Sequence, residues 1–320
     1  MKANKVLTGG ATASPQLTPR PTYPPFFAFP NGIAWSSLVR HVRFPLLTVA
    51  WIKATWPIYL ALAQAWVDAG HSERMWFTVG TSLVHTLCYV LINGFFWTCA
   101  QRGWFAGYEL PRKDAQRPKP ALVRKTLREA AIGQTITGPL TLYLMYPLAK
   151  RWGMPGMLDP LPGWGAMYVY VLVAFVVNDV GFYWTHRLLH TKLLYKRVHK
   201  QHHTYIGTIG FAAEYAHWFE VVLSNQLPTV AGTLGRGAHI AVFWGWLAAR
   251  LEETYEGHSG YSFAGTIPHK LGLTNADAAA WHDFHHTGNR GNFGSAYLDY
   301  LFGTMDAWVV MKKEGKGKSS

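Results

Sequence analysis

Residues 179–203 read DVGFYWTHRLLHTKLLYKRVHKQHH, and a related cluster, HDFHH, occupies residues 282–286. Histidines recur in these clusters at i, i+3 and i+4, the separations that place side chains on one face of a helix. The clusters hold eight of the chain's 15 histidines: His186, His190, His199, His202, His203, His282, His285 and His286. Imidazole is the commonest metal ligand, and eight exceed what one tetrahedral zinc ion can use. The spacing therefore predicts two metal ions in a nitrogen-rich site, which suits iron if the chemistry is oxidative.

Two isolated histidines are candidates to complete this site. His258 lies in the segment EGHSGY, between the second and third clusters, and His217 lies in EYAH, shortly after the second cluster. Either side chain could complete the ligand set of two metal ions, and the alternative for both is a hydrogen-bonded loop residue. The other isolated histidines are interpreted as packing residues: His41, His71, His85, His239 and His269.

An acidic residue precedes the first cluster. Asp179 lies seven residues before His186, two helical turns away on the same face, at the end of an apolar run. A carboxylate there is expected to accept a hydrogen bond from the remote nitrogen of a ligand imidazole, and the alternative is a simple helix-end charge. Glu214 is a weaker candidate for the same role.

Composition indicates an integral membrane protein. Apolar residues make up 49% of the chain and charged residues only 15%, below the roughly 25% of a soluble domain. Long segments lack charge altogether, and an apolar run of about 20 residues can span a bilayer as a helix. We therefore expect an all-α protein with about four transmembrane helices and a cytosolic helical cap that carries the histidine clusters over a two-metal site.

The uncharged segments predict the domain organisation. Residues 1–38 are interpreted as a flexible proline-rich tail, and residues 309–320 as a basic tail. Between them we expect a transmembrane region over residues 39–163 and a histidine-bearing domain over residues 164–308. Spans are expected near residues 44–66, 75–101, 130–149 and 160–178. The glycine-broken apolar stretch near residues 221–249 is too short in each half to span easily, and it predicts a re-entrant hairpin.

The charge of the chain predicts its orientation. A net charge of +13 would suggest nucleic acid in a soluble protein, but here the positive residues concentrate between the second and third spans, from Arg102 to Arg128. Positive loops stay cytosolic, and Arg40 and Arg43 place the N-terminus on the same side. Four spans then return the chain to the cytosol, so the histidine clusters and both termini are expected there, with no nucleic-acid partner.

These residues resemble the fatty acid hydroxylase superfamily of integral-membrane di-iron enzymes, with its HxxxH, HxxHH and HxxHH boxes. The closest resemblance is to the 4-methylsterol oxidase branch. Asp179–His203 follows that branch almost throughout, FAAEYAH at 211–217 and HSGY at 258–261 are similar to two of its signatures, and HDFHH with GNFGSAYLDYLFGT matches the superfamily. The branch usually has Pro after the position of His217, where this chain has Trp218, and HTGNRGNFG resembles general members more than the sterol branch.

The resemblance implies a fatty acid hydroxylase-like catalytic domain over residues 164–308. It implies two iron ions held by the eight clustered histidines with His258, and His217 is a further candidate ligand. It further implies dioxygen as the oxidant and NADH-derived electrons from a membrane b-type cytochrome and its reductase. The expected reaction oxidises an unactivated C–H bond of a sterol or sterol-like lipid. Lys316 and Lys318 resemble a dilysine signal, in keeping with the endoplasmic reticulum membrane.

Other functions stay open at this stage. A fatty acyl or sphingolipid hydroxylase or desaturase would use the same histidine clusters, because spacing does not reveal where the oxidant meets its substrate. A non-catalytic metal-binding membrane protein, such as a transporter or scaffold, is a more remote alternative. Transporters place their ligands near the bilayer midplane, whereas these clusters are interleaved with cations such as Arg187, Lys192 and Lys200.

Overall fold

The computed structural model describes residues 33–275 and 278–317, and within them it is helical without a β-strand. The expected all-α class is confirmed. The helices are α1 (Ile33–Asp68), α2 (Glu73–Arg102), α3 (Pro120–Ile132), α4 (Gly138–Arg151), α5 (Trp164–Leu189), α6 (Lys192–Leu194), α7 (Trp218–Glu220), α8 (Leu227–Ala231), α9 (Ile240–His258), α10 (Ile267–Lys270), α11 (Ala278–Gly288), α12 (Ala296–Leu301) and α13 (Asp306–Gly317). Short π-helical turns cover Gly133–Thr137, Tyr195–His199 and Val221–Gln226.

Three of the described helices, not the four expected, are long and apolar enough to cross a membrane. They are α1 from Val39 to Asp68, α2 and α5. The run expected to span at 130–149 is divided between the end of α3, a π-helical turn and α4. Neither α3, with 13 residues, nor α4, with 14 residues, is long enough by itself to span a bilayer, which explains the difference. This segment packs along α2 and is tied to it by Lys150 and Glu73, 3.2 Å apart.

Contacts at the two ends of the helical bundle show how α1 and α5 are oriented. His41 in α1 lies 3.0 Å from Asp179 near the end of α5, so these two helices run antiparallel. At the opposite end, the Tyr59 hydroxyl donates to the Met157 carbonyl over 3.0 Å. Helix α1 begins at Ile33, so residues 33–38 of the expected tail are helical, while residues 1–32 lie outside the described part of the chain.

The segment expected to form a hairpin forms two helical arms inside the bundle. The first arm, Trp218–Ala231, runs along α5, with Pro228 beside Gly181 and Gly232 beside Ala174. The second arm, α9, returns between α1, α2 and α5 and is mostly buried. The His239 ring at its start lies against Trp56 and Tyr59. Helix α9 therefore carries His258 back to the end of the bundle where α5 terminates.

Close backbone packing at Gly232 supports this hairpin, and we expect Gly232→Ala to destabilise the protein. A Cβ there would lie 2.6 Å from the Ala174 Cα, so α5 and the hairpin would have to separate. Overpacking of this kind typically costs about 1–3 kcal/mol. Thermal unfolding of the detergent-solubilised chain measures the effect. Gly94→Ala in α2 is the matched control, because a Cβ there meets nothing within 4 Å; equal losses in both variants would contradict the packing argument.

Candidate metal centre

Nine histidines converge in two adjacent groups at one end of the bundle. The five-histidine group consists of His186, His190, His199, His203 and His285, and the four-histidine group consists of His202, His258, His282 and His286. Within each group, the nitrogen atoms that could bind a metal lie within 4.8 Å of one another. The groups therefore contain all eight clustered histidines and His258.

Four separate segments supply these side chains. The last turn of α5 carries His186 and the helix is capped by His190, α9 ends at His258, and α11 carries the third cluster. The second cluster lies on a π-helical turn that ends at His199, followed by a 3-10 turn that begins at His202. This change of helical pitch lets neighbouring residues of one cluster serve different groups, because His202 faces the four-histidine group while His199 and His203 face the other.

The Nε2 atoms of the histidines point toward one another. In the five-histidine group, His285 Nε2 lies 3.1 Å from the Nε2 atoms of both His190 and His203, and His186 Nε2 lies 3.0 Å from His199 Nε2. In the four-histidine group, the Nε2 of His282 lies 2.8 Å from that of His258 and 3.1 Å from that of His286. In both groups, neighbouring rings thus approach one another through their Nε2 atoms.

Backbone carbonyls fix the protonation of several rings. The Nδ1 atoms of His186 and His285 lie 2.6 Å from the carbonyl oxygens of Phe293 and Gly291, respectively. Other carbonyls lie 2.7 Å from His258 Nδ1 and 2.8 Å from His286 Nδ1, namely those of Thr254 and Tyr205. Because a carbonyl only accepts, each Nδ1 carries the proton and each Nε2 presents a lone pair to the centre of its group.

Four Nε2 lone pairs thus point into the two groups, two into each, and the other five imidazoles surround them, so the donor set fits metal ions. With metal–nitrogen bonds of about 2.1 Å, ligands at right angles are about 3.0 Å apart, whereas tetrahedral ligands are about 3.4 Å apart. The observed separations of neighbouring Nε2 atoms, from 2.8 to 3.5 Å, cover this range, so each group could hold one metal ion.

Burial keeps these imidazoles neutral. It disfavours the charged ring and lowers the pKa of His202 to about 4 and that of His258 to about 3. Burial, assisted by neighbouring imidazoles, also lowers the pKa values of His282, His285 and His286 well below the usual range. Neutral imidazole is the form that binds metal, so all five rings are available as ligands at neutral pH.

A cavity reaches both groups from the bundle. It is lined by His186, His202, His258 and His282, by Phe182 near the end of α5, and by Val39 and Arg40 of α1. Further lining comes from α9 and α11, including Arg250, Glu253 and Trp281. Because α1 and α5 are candidate membrane spans, the cavity lies where a lipid could approach the histidines from the bilayer.

Three other predicted site residues lie apart from the histidine groups. His217 belongs to neither group, and its Nδ1 accepts from the Phe219 amide over 3.2 Å at the start of α7. The expectation that Asp179 would accept from a ligand imidazole is wrong, because Asp179 contacts His41 and the Ser295 hydroxyl instead. Packing of α1 against α5 determines that partner.

Glu214 is also held elsewhere. Its carboxylate accepts from the Tyr255 hydroxyl and from Gln134 Nε2, the latter over 3.0 Å, and lies 3.4 Å from His85 Nε2. None of these three residues belongs to a histidine group. The predicted contact of Glu214 with a clustered imidazole is therefore absent.

Glu220 occupies the position that was expected of Asp179. Its Oε1 lies 2.9 Å from His199 Nδ1, and both side chains are buried. An acidic side chain at the remote nitrogen of a metal-bound imidazole would orient the ring. Sequence reasoning missed Glu220, although an acid at the edge of the apolar run 221–231 carried the same signal as Asp179.

Comparison with known proteins is consistent with this geometry. The family model for fatty acid hydroxylase matches residues 171–304. A very-long-chain aldehyde decarbonylase of Oryza sativa subsp. indica is 33% identical over 267 residues, covering 80% of this chain and 98% of the relative. Methylsterol monooxygenase 2-2 of Arabidopsis thaliana is 33% identical over 240 residues, covering 73% and 87%. No solved structure matches the chain significantly.

We expect His258→Ala and His217→Ala to differ in metal binding. The first change removes one of the four nitrogens in its group, so the purified protein should lose about one metal ion per chain. His217 lies outside both groups, so its replacement should leave the metal content of the wild type. Elemental analysis of the purified proteins by mass spectrometry measures the ratio. Equal metal content in the two variants would contradict the assignment of His258 to the four-histidine group.

Proposed function

The chain belongs to the fatty acid hydroxylase family and is an oxidoreductase, and we propose that it is a di-iron oxygenase acting on a sterol or sterol-like lipid. The observation that carries this proposal is the pair of histidine groups, whose Nε2 atoms converge while four of their Nδ1 atoms donate to backbone carbonyls. Imidazole ligands suit iron. Two bound iron ions would supply the activation of dioxygen.

The protein's own residues have three tasks in this reaction. The nine histidines would hold the two ions next to each other, and backbone carbonyls fix four of the rings before any ion binds. Burial of the groups excludes bulk water, which protects a strongly oxidising site from side reactions. The cavity between α1, α5 and α9 would position one C–H bond of the lipid beside the histidines.

Electrons must come from outside the chain. The sequence contains no phosphate loop and no dinucleotide-binding fingerprint. We propose a membrane b-type cytochrome, reduced with NADH by its reductase, as the donor. The endoplasmic reticulum membrane, with the histidine groups in the cytosol, is the location in which these partners would meet.

A second candidate is the conversion of a very-long-chain aldehyde. Aldehyde decarbonylases from Oryza sativa match this chain as well as the methylsterol monooxygenases do, at 33% identity and over 98% of the relative's length. Sterols and long-chain aldehydes are both neutral, membrane-soluble molecules. The geometry of the histidine groups does not distinguish sterols from long-chain aldehydes. Identifying the substrate therefore tests one proposal against the other.

Replacing one histidine of each group tests the oxidative role. We expect His285→Ala and His202→Ala each to reduce oxidation to background, because the two groups would act together on one substrate. Product formation in membranes supplied with NADH measures the effect. Insertion into the membrane, followed by protease protection, should be unchanged, with His217→Ala as the active control; turnover retained by either variant would disprove the two-metal proposal.

Lipid profiling in a host that lacks methylsterol oxidase tests the substrate. Expression of the chain should remove the accumulated 4-methylsterols if the sterol proposal is right, as measured by mass spectrometry. The His285→Ala variant is the control and should leave them in place. An unchanged sterol profile together with new alkanes would favour the aldehyde proposal, and new hydroxylated acyl chains would overturn both.

A further inference from the structure

The geometry points to Asp299 as a positioning residue for the five-histidine group: we propose that its carboxylate holds the loop Gly291–Gly294 in the conformation that orients His186 and His285. The side chain of Asp299 is fully buried in α12. It contacts no histidine of either group, and it acts through the backbone. This inference rests on the proposed function to the extent that the five-histidine group binds a metal ion.

The central observation is a single peptide unit shared by Asp299 and His186. The Gly294 amide donates to Asp299 Oδ2 over 3.1 Å, and the Phe293 carbonyl of the same peptide accepts from His186 Nδ1 over 2.6 Å. In a trans peptide the N–H and C=O groups point in opposite directions. The carboxylate therefore fixes the plane of the peptide, and the plane fixes where the carbonyl meets the imidazole.

Asp299 holds the rest of the loop as well. The Phe293 amide donates to Asp299 Oδ1 over 2.9 Å, and the Thr304 hydroxyl donates to the same oxygen over 2.5 Å. At the other end of the loop, the Gly291 carbonyl accepts from His285 Nδ1 over 2.6 Å. The two loop carbonyls that accept from imidazoles, those of Phe293 and Gly291, thus both contact histidines of the five-histidine group and not of the four-histidine group.

The loop is tightly specified around this carboxylate. Gly291 has φ +61°, and a Cβ there would lie 2.4 Å from the Thr304 carbonyl oxygen, so only glycine fits. The Asn292 amide donates to that same carbonyl over 3.0 Å. Trp281 Nε1 donates to the Gly294 carbonyl over 3.0 Å, which ties the loop to the residue before His282.

A chain of hydroxyl groups extends from Asp299 to α5. Because the Thr304 hydroxyl donates to the carboxylate, it accepts from the Tyr183 hydroxyl, 3.0 Å away. Tyr183 in turn accepts from Arg187 over 3.2 Å. Asp299 thereby connects the loop to α5, the helix that carries His186. One hydrogen-bond network thus holds both the His186 imidazole and its partner, the Phe293 carbonyl.

The test measures ferrous ion binding by each group separately in the full-length purified chain, under anaerobic conditions. A His258→Ala, His282→Ala background disables the four-histidine group, and a His190→Ala, His203→Ala background disables the five-histidine group. In the first background we expect Asp299→Asn to weaken ferrous binding about 10- to 100-fold, the usual effect of losing a residue that orients a ligand. In the second background the affinity should not change.

Matched variants separate positioning from folding. Asp283→Asn makes the same chemical change in a carboxylate that accepts from Thr208 and Arg112 and not from the loop, so it should not affect the five-histidine group. Thr304→Val should weaken binding to the five-histidine group alone, and Thr304→Ser should restore it. These variants keep the proposal testable should Asp299→Asn fail to fold.

The outcomes distinguish this inference from the proposed function. A wild-type chain that binds two ferrous ions, with Asp299→Asn and Thr304→Val binding two ions at unchanged affinity, would overturn the role of Asp299 and leave the di-iron proposal intact. An equal loss of ferrous affinity in both histidine groups would also overturn the role of Asp299, because it would indicate a general structural effect. A wild-type chain that binds no ferrous ion would overturn both proposals.

Discussion

The metal centre of this chain depends on nine buried imidazoles that converge in two groups. Burial favours the neutral form of these rings, which is the form that binds a metal ion. Backbone carbonyls accept from the Nδ1 atoms of four rings and leave their Nε2 lone pairs directed into the groups: His186, His258, His285 and His286. The scaffold thus fixes these four ligands before an ion binds.

The membrane bundle explains how histidines distant in sequence meet. Helix α5 ends in the first cluster, and the second cluster follows directly, but His258 and the third cluster come after the hairpin of Trp218–Ala231 and α9. That hairpin descends along α5 and returns through the middle of the bundle, so α9 ends beside the second cluster. The sequence between the clusters therefore builds the wall of the cavity and positions His258.

Local spacing predicted that the eight clustered histidines share helix faces, and the structure brings them together in two groups. It could not separate His258 from His217, since both are isolated histidines near acidic residues and only tertiary packing brings one of them to the site. The predicted contact of Asp179 with a ligand imidazole is missing for a similar reason. Its spacing to His186 suggested a shared helix face, but packing of α1 places His41 against the Asp179 carboxylate. The span count differed because a π-helical turn divides the run at 130–149 between two helices that are each shorter than a membrane span.

Relatives of this chain within one superfamily are named for different substrates, so we look to the cavity wall for specificity. Two arginines line it, and each has an acidic partner: Glu253 pairs with Arg40 and lies 3.5 Å from Arg250. Asp179 also lines the cavity and pairs with His41. The cavity thus offers no excess positive charge to hold an ionised carboxylate, and burying one unpaired would be costly. This lining argues against a free fatty acid and for a neutral lipid, a property that sterols and long-chain aldehydes share.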